Sequence, residues 1–150
     1  MSSMFPCHAG SLRAVPAAPA VVVHDLAQAQ AALGEGLALT LLSAPGAASF
    51  AGAGWWRALV TQAQSAHAAT PCQDVLDCGD APGHAMAAIR LGQAILVLDP
   101  ACPAFARIAT LACVLPARPP ALDLAERGAA RRLHAWLHGQ RHDDSGAALR

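Results

Sequence analysis

The chain is expected to fold as an α/β domain built on a parallel sheet of five strands. Three observations lead there. Five apolar runs of strand length, "AVVVHD", "LALTLLS", "DVLDCG", "AILVLD" and "ACVLP", recur at regular intervals. A segment with helical patterning follows each of them, which is the signature of repeated β-α units. The runs around Val21–Val23 and Ile95–Leu98 are apolar without alternation, as befits strands covered on both faces.

The first run leads into Asp25 and Gln28, a capping box that starts a helix over about 26–33. After the second run, a glycine-rich loop opens "GWWRALVTQAQSAHA". There Trp56, Leu59, Val60 and Ala63 carry helical spacing before Pro71 stops it. The third run ends at Asp77; Asp80 suits an N-cap, Pro82 lies in the first turn, and Gly92 stops a helix over about 81–91. Pro103 begins a short helix over about 103–111, and Asp123 with Glu126 is a second capping box, starting a helix over about 124–138. Right-handed crossovers between five such strands favour a three-layer, doubly wound sheet of flavodoxin-like or Rossmann-like type, in the order 2-1-3-4-5. A rival arrangement is half of a β/α barrel completed by a second copy. Residues 1–18 read as a flexible leader, 19–139 as the single domain and 140–150 as a polar tail.

Composition narrows function by exclusion. Of 150 residues, 55% are hydrophobic and 13% charged, enough apolar material for a substantial core. No run reaches the roughly 18–20 apolar residues of a membrane span, and the leader lacks the pattern of a secretory signal, so a cytoplasmic location away from membranes is expected. Ten basic and ten acidic residues without a basic stripe argue against nucleic acid as a partner. All the basic residues are arginine, which removes Schiff-base lysine and P-loop lysine chemistry. The five cysteines show no CxxC spacing and read as free thiols, so no structural metal is expected. No motif names a cofactor.

Open parallel sheets bind ligands outside the carboxyl ends of their strands. That rule singles out His24 after the first strand and the cluster Asp77, Cys78, Gly79, Asp80 and His84 after the third. Asp77 and His84 are the candidate acid/base pair. His24, Ser43, Gly46, Cys78 and Gly79 are candidate ligand contacts, the glycines because they let backbone N–H groups approach a small anionic ligand. Asp25, Asp80 and Asp99 have helix or turn starts to explain them. His134 and His138 are spaced i, i+4, with His142 a turn later, and read as a polar helix face. Trp55 and Trp56 cannot share one face of a helix, so one of them is expected at an edge where homo-oligomers could form.

At the level of βα order and acidic strand ends, residues 20–138 resemble the receiver domains of response regulators. That resemblance places His24-Asp25 and Asp77 at the positions of the acidic pair and the phospho-accepting aspartate. Asp99 replaces the usual hydroxyl residue and the lysine is missing, so what it implies is a receiver-like interaction or signalling module without the usual phosphotransfer. The stretches "LLSAPGAASFAGAGWW", "LDCGDAPG" and "RPPALDL" are similar to uncharacterised short bacterial proteins of the same α/β kind, a likeness that implies no activity.

Overall fold

The structure is a computed structural model and describes residues 18–146. The stretch read as a leader therefore lies, but for Ala18, outside the described residues. The expected βα units form: β1 (Ala20–Val22), α1 (Leu26–Leu33), β2 (Leu39–Leu42), α2 (Ala47–Phe50), α3 (Ala53–Ala66), β3 (Cys72–Asp77), α4 (Pro82–Arg90), β4 (Ile95–Val97), α5 (Phe105–Ile108) and β5 (Cys113–Leu115). Helix α1 starts where the capping box puts it, with Asp25 Oδ1 accepting the Gln28 N–H at 2.7 Å. The return bond from Gln28 Oε1 is made to the backbone N–H of His24 at 2.9 Å, one residue before the cap. In α3 the buried residues are Trp56, Leu59, Val60 and Ala63, the face that the spacing picks out. Helix α4 has proline in its first turn, but its N-cap is Ala81 and no side chain caps it, so Asp80 does not play the capping part expected of it.

The sheet is parallel, six-stranded and flanked by helices, consistent with a Rossmann- or flavodoxin-like class. It differs from expectation in count and order. The sixth strand is β6 (Ala121–Asp123), and the order is β5-β4-β3-β2-β1-β6 in place of 2-1-3-4-5. The second capping box explains the miss. "ALD" pairs with β1, Val21 opposite Leu122, and the last helix, α6 (Ala129–Gly146), begins only after Gly128 takes a φ of 77°. It continues into the stretch read as the polar tail.

Each step from β1 to β5 moves to the next strand in the same direction. Right-handed crossovers then place the connecting helices on one side of the sheet. The core follows that rule. Val21, Leu41, Leu76, Leu96 and Leu122 face the helices and share one core with Ala32 of α1, Trp56 of α3, Ala88 of α4, Ile108 of α5 and Leu137 of α6. The opposite face carries Val22, Leu42, Val75, Ile95 and Val97, with Cys113, Leu115 and Ala121 packed against them, and among the described residues none from a helix joins this second cluster. Leu42 and Val75 are nonetheless fully buried.

The linker between β5 and β6 joins the two edges of the sheet. In a flat sheet these edge strands would stand about 24 Å apart. The pairing also sets Leu115 four residues ahead of Ala121, about 13 Å along the strands. Residues 116–120 span at most about 22 Å between the two ends. The sheet must therefore curl, with its helices on the convex side and the linker crossing the concave side. Halfway along, Arg118 reaches the tips of β2 and β3.

Candidate functional site

The last residue of β3, Asp77, points to the concave side, since side chains alternate along a strand and Leu76 faces the helices. It is only 4% exposed. Its Oδ2 accepts from Arg118 Nη1 at 2.7 Å and its Oδ1 from the backbone N–H of Gly79 at 2.8 Å. Gly79 has a φ of +56°, and a Cβ there would stand 3.7 Å from Gly46 Cα, an ordinary contact. The glycine is thus required for its left-handed backbone, not for space. The same geometry shows that the two glycine loops adjoin. Ser43 ties them further: its hydroxyl accepts the Asp77 backbone N–H at 2.9 Å and donates to Ala44 O at 3.1 Å. Arg118 Nη2 donates to Ser43 O at 3.0 Å, so one guanidinium closes the ends of β2 and β3 together.

A second pair stands at the ends of β1 and β6. His24 Nε2 and Asp123 Oδ1 are 2.7 Å apart, each side chain about a third exposed. Burial pushes the Asp123 carboxyl up, but the Ala125 N–H, the hydrogen bond and charge of His24, and the charge of Arg118 outweigh it. The group is held below its ordinary value. Arg118 thus acts on both pairs, directly on Asp77 and through its field on Asp123. In the order of the strands the rim reads Asp123, His24, Ser43 and Asp77, with Arg118 joining the last two.

The residues singled out from the sequence divide accordingly. Ser43, Gly46, Asp77 and Gly79 come together, and His24 shares their rim through Arg118. Asp77 engages an arginine, not a histidine. At this rim the histidine that pairs with a carboxylate is His24. His84 is exposed in the first turn of α4 and makes no hydrogen bond or ion pair among the described residues. Cys78 is fully buried on the helix side, away from the rim, and burial together with the Asp77 charge pushes its thiol up to about 12. Trp56 is buried and Trp55 is 40% exposed, so the edge residue of that pair is Trp55.

Two rim residues, Arg118 and Asp123, were not anticipated. Arg118 lies in "PARPP", and reading "ALD" as a strand would have marked that segment as a link between strand ends. Among the described residues no group of three or more His, Cys, Asp and Glu side chains stands where it could hold a metal ion. Nor is any helix among them long and apolar enough to cross a membrane. Comparison with protein-family models and with curated proteins matches the chain to neither a family nor a relative.

Proposed function

We propose that this domain binds a small anionic ligand at the carboxyl ends of its strands, with Arg118 as the anion contact. The observation that carries the reading is the guanidinium of Arg118. It is held at the tips of β2 and β3 by Asp77 and Ser43 while its side chain stays 27% exposed. A guanidinium has five N–H donors in a fixed fork. Two of them serve Asp77 and Ser43, and the rest can address a carboxylate or phosphate oxygen. The neighbouring carboxylates of Asp77 and Asp123 set a limit on charge: beside them a singly charged anion is favoured over a multiply charged one. His24, oriented by Asp123 through Nε2, keeps its other ring nitrogen for a ligand hydroxyl, amine or carbonyl. Should a proton move in this site, the His24–Asp123 dyad takes the role assigned from the sequence to Asp77 and His84.

The test is a thermal-shift screen of the intact chain against acetate, small hydroxy-carboxylates, amino acids and orthophosphate. At least one carboxylate is expected to raise Tm, with orthophosphate weaker, and Arg118→Gln is expected to abolish the rise while keeping the far-ultraviolet circular dichroism. The same rise in Arg118→Gln, or no rise with any anion, defeats the reading.

A second reading rests on a different surface. Phe50, 72% exposed, and Trp55 stand five residues apart at the end of α2 and the start of α3. Large aromatic groups left in water favour an interaction module that self-associates, as the receiver-like resemblance implies. That module would form oligomers whether or not Arg118 is present.

A further inference from the structure

Helix α6 docks on the sheet through Leu133 and Leu137, both buried, and through Trp136 Nε1, which donates to Ala20 O at 2.9 Å. One position after each leucine stand His134 and His138, exposed together on the outer face because residues four apart lie one above the other on a helix. Their ring centroids are 4.4 Å apart. Across from them, the turn between α1 and β2 presents Glu35, whose Oε2 is 2.8 Å from His134 Nδ1. A carboxylate can only accept, so Nδ1 carries the proton and the lone pair of Nε2 points away from Glu35.

We propose that His134 and His138 form a two-histidine site for a late first-row divalent metal ion such as zinc, with Glu35 fixing the tautomer of His134. An ion bound by two imidazole nitrogens at about 2.0–2.1 Å needs those nitrogens only about 3–3.4 Å apart. Rings whose centroids are 4.4 Å apart are near enough for side-chain rotation to bring two of their nitrogens to that span. Glu35 stands where a carboxylate behind a metal-binding histidine stands, and it holds the ring and its tautomer. Imidazole donors select zinc, nickel or copper over magnesium or calcium. Among the described residues the site has two protein ligands, which leaves the remaining positions to water, so it is distinct from a closed structural centre of three or four side chains. It is independent of the strand-end rim.

The experiment is a zinc titration of the untagged full chain by calorimetry, with imidazole resonances followed by NMR. One ion per chain is expected, shifting the rings of His134 and His138 and leaving those of His67 and His84 in place. His138→Ala should weaken binding at least about tenfold. Glu35→Gln should weaken it by about 10- to 100-fold at unchanged stoichiometry. Both residues are exposed, so these variants are expected to fold. No binding, or zinc binding to His138→Ala as tight as to the unaltered chain, overturns the site. Unchanged affinity in Glu35→Gln overturns the orienting role and leaves Glu35 an ion-pair partner alone.

Discussion

Asp74 and Asp77 lie three residues apart on β3, each paired with an arginine that keeps just over a quarter of its side chain in water. They face opposite sides of the sheet and do different work. Asp74 accepts from Trp56 Nε1 at 3.0 Å, Arg57 Nη2 at 3.0 Å and Gln93 Nε2 at 2.9 Å, and Gln93 also accepts from Arg57 and donates to Ile95 O. That network pins α3 and the α4–β4 turn to the strand from the helix side. Asp77 accepts from one loop N–H and from an arginine carried by the β5–β6 linker at an open rim. An arginine-paired aspartate on a strand is therefore not in itself a sign of function; what separates the two is where the partner stands, on a helix packed against the sheet for Asp74 and on a linker at the strand ends for Asp77.

Substitution sharpens that contrast. Asp74→Ala is expected to have the largest effect, about 3–4 kcal/mol lost in urea unfolding. It strands the indole N–H of the fully buried Trp56 and takes one acceptor from the amide of Gln93, which is 4% exposed and keeps Ile95 O. Asp77→Ala should cost less, about 1–2 kcal/mol, because Arg118 can turn into water once its partner is gone. Equal losses would mean that both aspartates are structural in the same sense. The ligand response defined above should survive the first change in any residual folded fraction and be altered by the second.

How much of this was readable in advance follows the same divide between local and distant causes. β1 to β4 and α1, α3 and α4 are written in local signals: apolar runs, the cap at Asp25, the spacing from Trp56 to Ala63, Pro82 and Gly92. "ALDLAE" carries two local signals at once, a capping box and a strand, and pairing with β1 decides between them. Nothing near residue 121 in the chain reports that pairing. The strand order is likewise a property of the whole sheet. At the rim, His24, Ser43 and Asp77 were legible because they end strands. Their partners were not, since Arg118 is 41 residues from Asp77 and Asp123 is 99 residues from His24.

The His24–Asp123 pair gives the next smaller effect and a definite pH window. Because the Asp123 carboxyl is held below its ordinary value in the folded chain, its contribution is present above the unfolded pKa of about 3.9 and is lost as pH falls through the lower folded value. Between about pH 5 and pH 3 the unaltered chain should therefore lose more Tm than Asp123→Asn does, by about one to three degrees given the exposure of the pair. Parallel Tm curves for the two would show that β6 is held to β1 by its backbone ladder without help from this pair.

The smallest effect on stability is expected at Trp55, and it separates the two functional readings most cleanly. The neighbouring indoles have ring centroids 6.3 Å apart, but Trp56 is the one inside, hydrogen-bonded to Asp74, while Trp55 keeps 40% of its surface in water. Trp55→Ala removes a group that is already partly hydrated and opens no core cavity, so unfolding should change by no more than about 0.5 kcal/mol. Light scattering over a concentration series then carries the information. If the α2–α3 aromatic surface joins copies of the chain, the unaltered protein is larger than 15.3 kDa and Trp55→Ala returns it toward that mass, whereas Arg118→Gln leaves the assembly intact. A monomer at every concentration removes the self-association reading and leaves the proposed anion binding at the rim to be decided by the Arg118→Gln screen.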